Sequence, residues 1–207
     1  MMLGQQAQFT PNAIAPGPQE TNSPLFGTLL EWMDRRPHLD VLDLGPARAA
    51  NLEMLSRFPC KLFIEDAHEL VAAFHGDTES DLAVLNEWRD QWIAHGAGSV
   101  DVVLAWDLFN YLDSALCQAF MDRLMPLLKP NAHLYLTVYS QKDMPSLPMQ
   151  FQLLAADRME YRPLTGATRP APRFNQTELT RRLRSFGVVR SVLLRNGMQE
   201  YLLKYLG

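Results

Sequence analysis

The sequence predicts an α/β domain whose mostly parallel sheet ends in an antiparallel hairpin. Three observations carry this expectation. Short apolar runs alternate with amphipathic helical segments from Val41 to Tyr139, the order that builds a parallel sheet covered on both faces. The acidic pair Glu65-Asp66 stands twenty and twenty-one residues after Gly45, the spacing that a mononucleotide-binding strand–helix–strand unit requires. Near the end, only Asn196-Gly197 separates two β-rich runs, and this dipeptide is the strongest short hairpin signal.

A chain of 207 residues suits one domain with a full core. Apolar residues at 47% and charged residues at 20% place it among ordinary globular proteins. Cys60 and Cys117 form no CxxC pair, and the five histidines show no ligand spacing. His68 and His75 share one helical face, but further ligands are missing, so no metal is expected. The first twenty residues have neither a basic start nor an apolar h-region. No apolar run reaches the length of a bilayer span, and a cytoplasmic protein without a membrane partner is expected. The net charge of −4 hides an asymmetry. From Asp157 onward ten Lys/Arg face four Asp/Glu, and the rest of the chain is strongly acidic. This polarity fits either a solvated arginine-rich helix face or a segment for an anionic partner.

Met1 to Asn22, rich in Gln, Pro and Ala, is expected to be a flexible arm, and residues 23–207 the folded domain. Ser23-Pro24 predicts a helix start, with Leu25, Phe26, Leu29, Leu30 and Met33 on its inner face. Val41 to Leu44 is a buried strand ending at Gly45-Pro46. A helix with Leu52 and Leu55 inward follows, then a strand over Cys60 to Ile64. Ala67 to Phe74 and Glu79 to Ala94 predict two helices, the second burying Leu82, Leu85, Trp88 and Trp92. No strand is expected between them, so the sheet is predicted to lack one edge strand. Asp101 to Trp106 is a third strand. Asp113 or Ser114 caps the next helix, with Leu116, Phe120, Leu124 and Leu127 inward. Ala132 to Tyr139 is a fourth strand. Gln141 to Arg173 breaks the rhythm with Pro, Met and Gly, and is expected to be an irregular lid or insertion. Beyond it, Asn175 as cap, Glu178 in a capping box and Phe174 stapled onto Leu179 predict a helix that Gly187 closes. Val188 to Arg195 and Met198 to Leu206 are the hairpin strands.

This order resembles the class I S-adenosylmethionine-dependent methyltransferases. VLDLGPARAANLEML resembles their first motif, and KLFIEDA their second strand with its ribose-binding acid. DVVLAWDLFNYLDSALCQAFMDRLMPLLKPNAHLYLTVYS resembles their fourth strand, the helix after it and the fifth strand. The resemblance implies a Rossmann-like methyltransferase fold, with the terminal hairpin that separates this family from dehydrogenases. It also implies S-adenosylmethionine as cofactor. The family loop Gly-x-Gly-x-Gly reads Gly45-Pro46-Ala47-Arg48-Ala49 here. The Ala47 Cβ adds bulk where the backbone should approach the cofactor's methionine part, and Pro46 removes a donor. Arg48 can offset this by a charge-assisted hydrogen bond to the cofactor carboxylate.

The candidate cofactor-binding residues are therefore Asp43, Gly45, Ala47, Arg48, Glu65, Asp66, Trp106 and Asp107. One of Glu65 and Asp66 is expected to face the crevice and the other solvent. Trp106, Phe109 and Tyr111 serve equally as crevice wall or core. No catalytic base stands out, and methyl transfer gains mainly from positioning. Two functions stay open. One is methyl transfer to a small-molecule or protein acceptor. The other is a catalytically degenerate fold that meets a protein partner through the N-terminal arm or the basic C-terminal segment. The absence of a (D/N)PP(Y/F/W) motif and the acidic balance argue against a nucleic-acid substrate.

Overall fold

Val41-Leu42 and Val102-Val103-Leu104 are apolar at consecutive positions and fully buried. A strand reads this way only when both faces of its sheet are covered. The computed structural model describes residues 17–90, 96–172, 174 and 176–207. The elements run β1 (Gln19–Asn22), α1 (Pro24–Asp34), β2 (Leu39–Asp43), α2 (Ala49–Leu55) and β3 (Cys60–Ile64). Then come α3 (Ala67–Ala72), α4 (Thr78–Asp90), β4 (Val100–Trp106), α5 (Ser114–Leu124) and β5 (Leu128–Tyr139). The insertion contributes β6 (Asp143–Pro145), β7 (Gln150–Ala155), β8 (Arg158–Arg162) and β9 (Thr168–Pro170). The chain closes with α6 (Gln176–Arg182), β10 (Phe186–Leu193) and β11 (Met198–Tyr205). No helix among the described residues is long and apolar enough to cross a membrane.

The main sheet has the order β10-β11-β5-β4-β2-β3. Strands β3, β2, β4 and β5 pair in parallel, while β11 and β10 add in antiparallel fashion. The expected Rossmann-like architecture with a terminal hairpin is therefore present, with β3 at the outer edge. The chain leaves β2 toward β3 on one side and returns to β4 on the other. The switch point thus lies between β2 and β4, and the crevice above it is where ligands of open α/β sheets bind.

Helix α1 buries the expected stripe of Leu25, Phe26, Leu29, Leu30 and Met33. Its start is tied down by an unforeseen buried group. Glu200, on β11, accepts from Leu25 N at 3.1 Å and from Tyr135 Oη at 2.8 Å, and Ser23 Oγ also donates to it. A carboxylate at a helix start meets both orphan N–H groups and the positive dipole end.

Several expectations need correction. Gln19–Asn22, within the stretch expected to be an arm, forms a strand paired with β8; residues 1–16 lie outside the described residues. Leu52 is 39% exposed, and Asn51 takes the inward place beside Met54 and Leu55. On α4, Leu85 is buried and Leu82 and Trp88 are half-buried; Trp92 lies outside the described residues, as does Asn175. Strand β5 begins at Leu128, which pairs with Val100. The insertion is not irregular. β7 and β8 join β1 in a three-stranded sheet, and β6 pairs with β9. Met159 and Tyr161 alternate inward along β8, a period-two signal too short to stand out in the sequence. Gly187 lies within β10 and does not close a helix. Glu178 binds Arg181 and Arg182 at 2.9 Å each.

The hairpin turn also differs. Only Gly197 has positive φ, at 77°. Leu194 N donates to Met198 O at 2.7 Å and Gly197 N to Leu194 O at 3.1 Å. This is a three-residue loop, with Gly197 in the left-handed position that such loops need. Asn196 instead accepts from Met198 N through its side chain.

Candidate functional site

The crevice is built by strand ends. Glu65 N donates to Asp43 O at 2.8 Å, Ala67 N to Leu44 O at 3.0 Å and Leu44 N to Leu104 O at 2.9 Å. These bonds hold the ends of β2, β3 and β4 together, so Asp43, Gly45, Trp106 and Asp107 meet above the switch point. Asp43 Oδ1 accepts from Gly45 N at 2.9 Å and from Trp106 Nε1 at 2.6 Å. Asp43 is 2% exposed. Burial pushes its carboxyl up to about 7, against the two hydrogen bonds that favour its charge, and nearby Asp66 adds to the rise.

Asp107 is 0% exposed. Its Oδ2 accepts from Met149 N at 3.0 Å and Tyr139 Oη at 3.2 Å, while Oδ1 has no partner among the described residues. Burial raises this carboxyl to about 7 as well. An unpartnered buried oxygen suits a protonated acid, because an ionised one would stand desolvated and uncompensated.

The other expected residues lie at the margin. Ala47 is exposed, so its Cβ is not what fills the crevice. Arg48 is half-buried at the start of α2 and makes no side-chain cap. Asp66 caps α3 by accepting from His68 N at 2.9 Å. Burial lowers the His68 pKa, Asp66 opposes that effect and Arg48 reinforces it, so these three side chains form one electrostatic group. Glu65 and Asp66 are both half-buried. A carboxylate oxygen of Glu65 is buried, and Asp66 turns the chain into α3.

The floor of the crevice is taken by Trp106. A Cβ on Gly45 would stand 2.7 Å from the indole Nε1 and 2.9 Å from Cδ1. The indole stacks on Phe26 at 5.7 Å and on Phe151 at 5.3 Å, with interplanar angles of 22° and 15°. Its backbone has φ of 49°, a left-handed conformation uncommon outside glycine, asparagine and aspartate. Two residues central to this arrangement, Asn51 and Phe151, were not expected. Asn51 Nδ2 donates to Phe151 O at 3.1 Å, and Leu153 N donates to Asn51 Oδ1 at 2.8 Å. A polar residue on the stripe Asn51, Met54, Leu55 was the available signal.

A separate cavity of about 690 Å³ opens beside the crevice. It is lined by Phe74, His75, Asn110 and Tyr111, and by Leu147 and Arg169 from the insertion. Tyr111 Oη donates to Pro145 O and Leu147 O at 3.1 and 2.8 Å, which fixes the insertion over this cavity.

The model of the methyltransferase domain family matches residues 19–189. No curated protein sequence matches the chain. Among solved structures, a candidate type 11 methyltransferase from Sulfolobus solfataricus superposes with a TM-score of 0.53 at 14% identity, covering 90% of this chain and 94% of that one. The 1,6-didemethyltoxoflavin-N1-methyltransferase of Burkholderia thailandensis gives 0.51 at 16%, covering 88% and 77%; its structure holds 1,6-didemethyltoxoflavin and S-adenosylhomocysteine. The N-methyltransferase NodS of Bradyrhizobium japonicum, also with S-adenosylhomocysteine, gives 0.50 at 12%, covering 89% and 87%. At these identities the likeness is one of fold.

Proposed function

The chain belongs to the methyltransferase domain family, and from that premise we propose that it is an S-adenosylmethionine-dependent methyltransferase with a small-molecule acceptor. The observation that carries the reading is the placement of Asp43 and Gly45 at the switch point of a sheet with this family's strand order. The two similar structures that hold S-adenosylhomocysteine support the cofactor. The acceptor reading rests on the 690 Å³ cavity under the insertion, a size that suits a small molecule.

The cofactor does not fit the crevice in the conformation described. Asp43, Trp106 and Asp107 are 0–3% exposed, and the indole lies against Gly45, where the backbone should be open. A second reading draws on the same closure: a degenerate fold that serves as an interaction module, with its exposed tail arginines toward a partner.

Incubation of the full chain with methyl-labelled S-adenosylmethionine and separate metabolite and protein extracts tests the proposal. Label in the low-mass fraction is expected. Label confined to protein overturns the acceptor. No transfer to either fraction overturns the methyltransferase reading and favours the interaction module.

A further inference from the structure

The crevice wall spends its polar groups on the protein's own insertion. Met149 N bonds to Asp107, and the carbonyl of Phe151 and the amide of Leu153 bond to Asn51. Tyr111 holds the carbonyls of Pro145 and Leu147. Asp107 and Tyr111 follow the carboxyl end of β4 and Asn51 stands on α2, where a ligand above the switch point would seek such groups. Met149, Phe151 and Leu153 are buried in consequence. The side chain beneath them, Trp106, fills the space over Gly45 and gives its one N–H to Asp43. Its backbone is held in a left-handed conformation. Such a conformation persists in a non-glycine residue only where the surroundings over-determine it, and it concentrates at switches and ligand clamps.

We infer that Trp106 and the strap Met149–Leu153 form an autoinhibitory plug in the cofactor crevice, and that cofactor binding requires their displacement. This rests on the proposed use of S-adenosylmethionine. The strap is suited to release. It reaches the crevice through a few hydrogen bonds and one aromatic stack, and it belongs to a small sheet separate from the main one. A binding-competent state that is only fractionally populated weakens apparent affinity by that fraction, and a mutation that pre-opens it restores the loss.

The test is calorimetric titration of S-adenosylhomocysteine into the full-length wild type, Trp106→Ala and Phe151→Ala, each shown by circular dichroism to be folded. Phe151→Ala keeps the test open where Trp106→Ala fails to fold, because it loosens the strap and leaves the Asp43 bond in place. Amide hydrogen exchange at Met149 and Leu153 in the wild type, with and without ligand, is the second readout. Folded variants binding at least about tenfold more tightly than the wild type, and faster exchange at both amides on binding, are expected. Wild-type binding with those amides still protected, or variants that bind no better, overturns the plug and leaves the cofactor reading standing. Absence of binding to every folded protein overturns both.

Discussion

Trp106 Nε1 donates to Asp43 Oδ1 at 2.6 Å, joining the ends of β4 and β2 directly across the switch point. A strand-end carboxylate that would serve a ligand is thereby satisfied by an indole. The bond is buried, and its acceptor carries a carboxyl pushed up to about 7. Asp43 is therefore only about half ionised at neutral pH, where an ordinary aspartate is fully charged.

This arrangement sets a pH dependence of stability. Asp43 and Asp107 rise from 3.8 to about 7 on folding, chiefly through burial. Between those values the folded state holds protons that the unfolded chain has released. Unfolding free energy therefore falls as pH rises through the window. The contribution is complete below about pH 4 and gone above about pH 7. Asn at both positions keeps the accepting oxygens and removes the titration. The double variant Asp43→Asn, Asp107→Asn should gain on the wild type between about pH 5 and about pH 8, by on the order of 5 kcal/mol, the sum over two carboxyls. Urea unfolding at both pH values measures this. An identical pH slope in the two proteins would show that neither carboxyl titrates in that window.

The parallel core was legible in the sequence because buried strands need consecutive apolar residues, and Val41-Leu42 and Val102-Leu104 supply them. The acidic pair Glu65-Asp66 after β3 and the turn at Gly45 after β2 were legible from spacing. The plug was not. Trp106 could be read as wall or core, and which it becomes depends on a backbone φ of 49° that no local pattern encodes. The insertion hid its strands because β6 and β9 are three residues long, too short for alternation to register. The hairpin was visible, but Asn-Gly serves two loop types, and the choice between them lies in the pairing of Leu194 with Met198.

Asn51 should prove a structural clamp. Asn51→Ala removes both side-chain bonds to the strap and leaves the Phe151 carbonyl and Leu153 amide buried without these partners. The expected cost is about 2–6 kcal/mol, from roughly 1–3 kcal/mol for each of the two stranded groups. Equilibrium unfolding gives the total. Limited proteolysis should cut first between Met144 and Ala155 in the variant. A loss under about 0.5 kcal/mol, typical of a surface change, would mean that the strap is held elsewhere.

The turn makes a prediction that separates two adjacent residues. Gly197 has φ of 77° and sits against the Gln141 side chain, so Gly197→Val is both strained and crowded. Asn196 contributes one hydrogen bond to Met198 N at 3.0 Å. Gly197→Val should therefore cost more than about 2 kcal/mol, and Asn196→Ala about 1 kcal/mol. Thermal melts of the two single variants decide the matter. Equal losses would indicate a two-residue turn with positive φ at both positions.

The last prediction addresses the contact between Gly45 and Trp106. An added Cβ at Gly45 would lie 2.7 Å from Nε1, 2.9 Å from Cδ1 and 3.2 Å from Asp43 Oδ1. The first two distances are too short for any real methyl group, so the indole must move. It is stacked between two rings and hydrogen-bonded at its edge, and it can move only by giving up those contacts. Gly45→Ala alone should cost about 1–3 kcal/mol through overpacking. Trp106→Ala alone should cost about 3–5 kcal/mol as a large-to-small core change. In the double variant the methyl occupies space that the indole has left, and the overpacking cost disappears. The two losses should then fall short of additivity by about 1–3 kcal/mol, well beyond the few tenths expected of independent sites. Urea denaturation of the four proteins in the cycle measures this coupling. Additive losses would place the indole away from Gly45, and the closed crevice would need another cause.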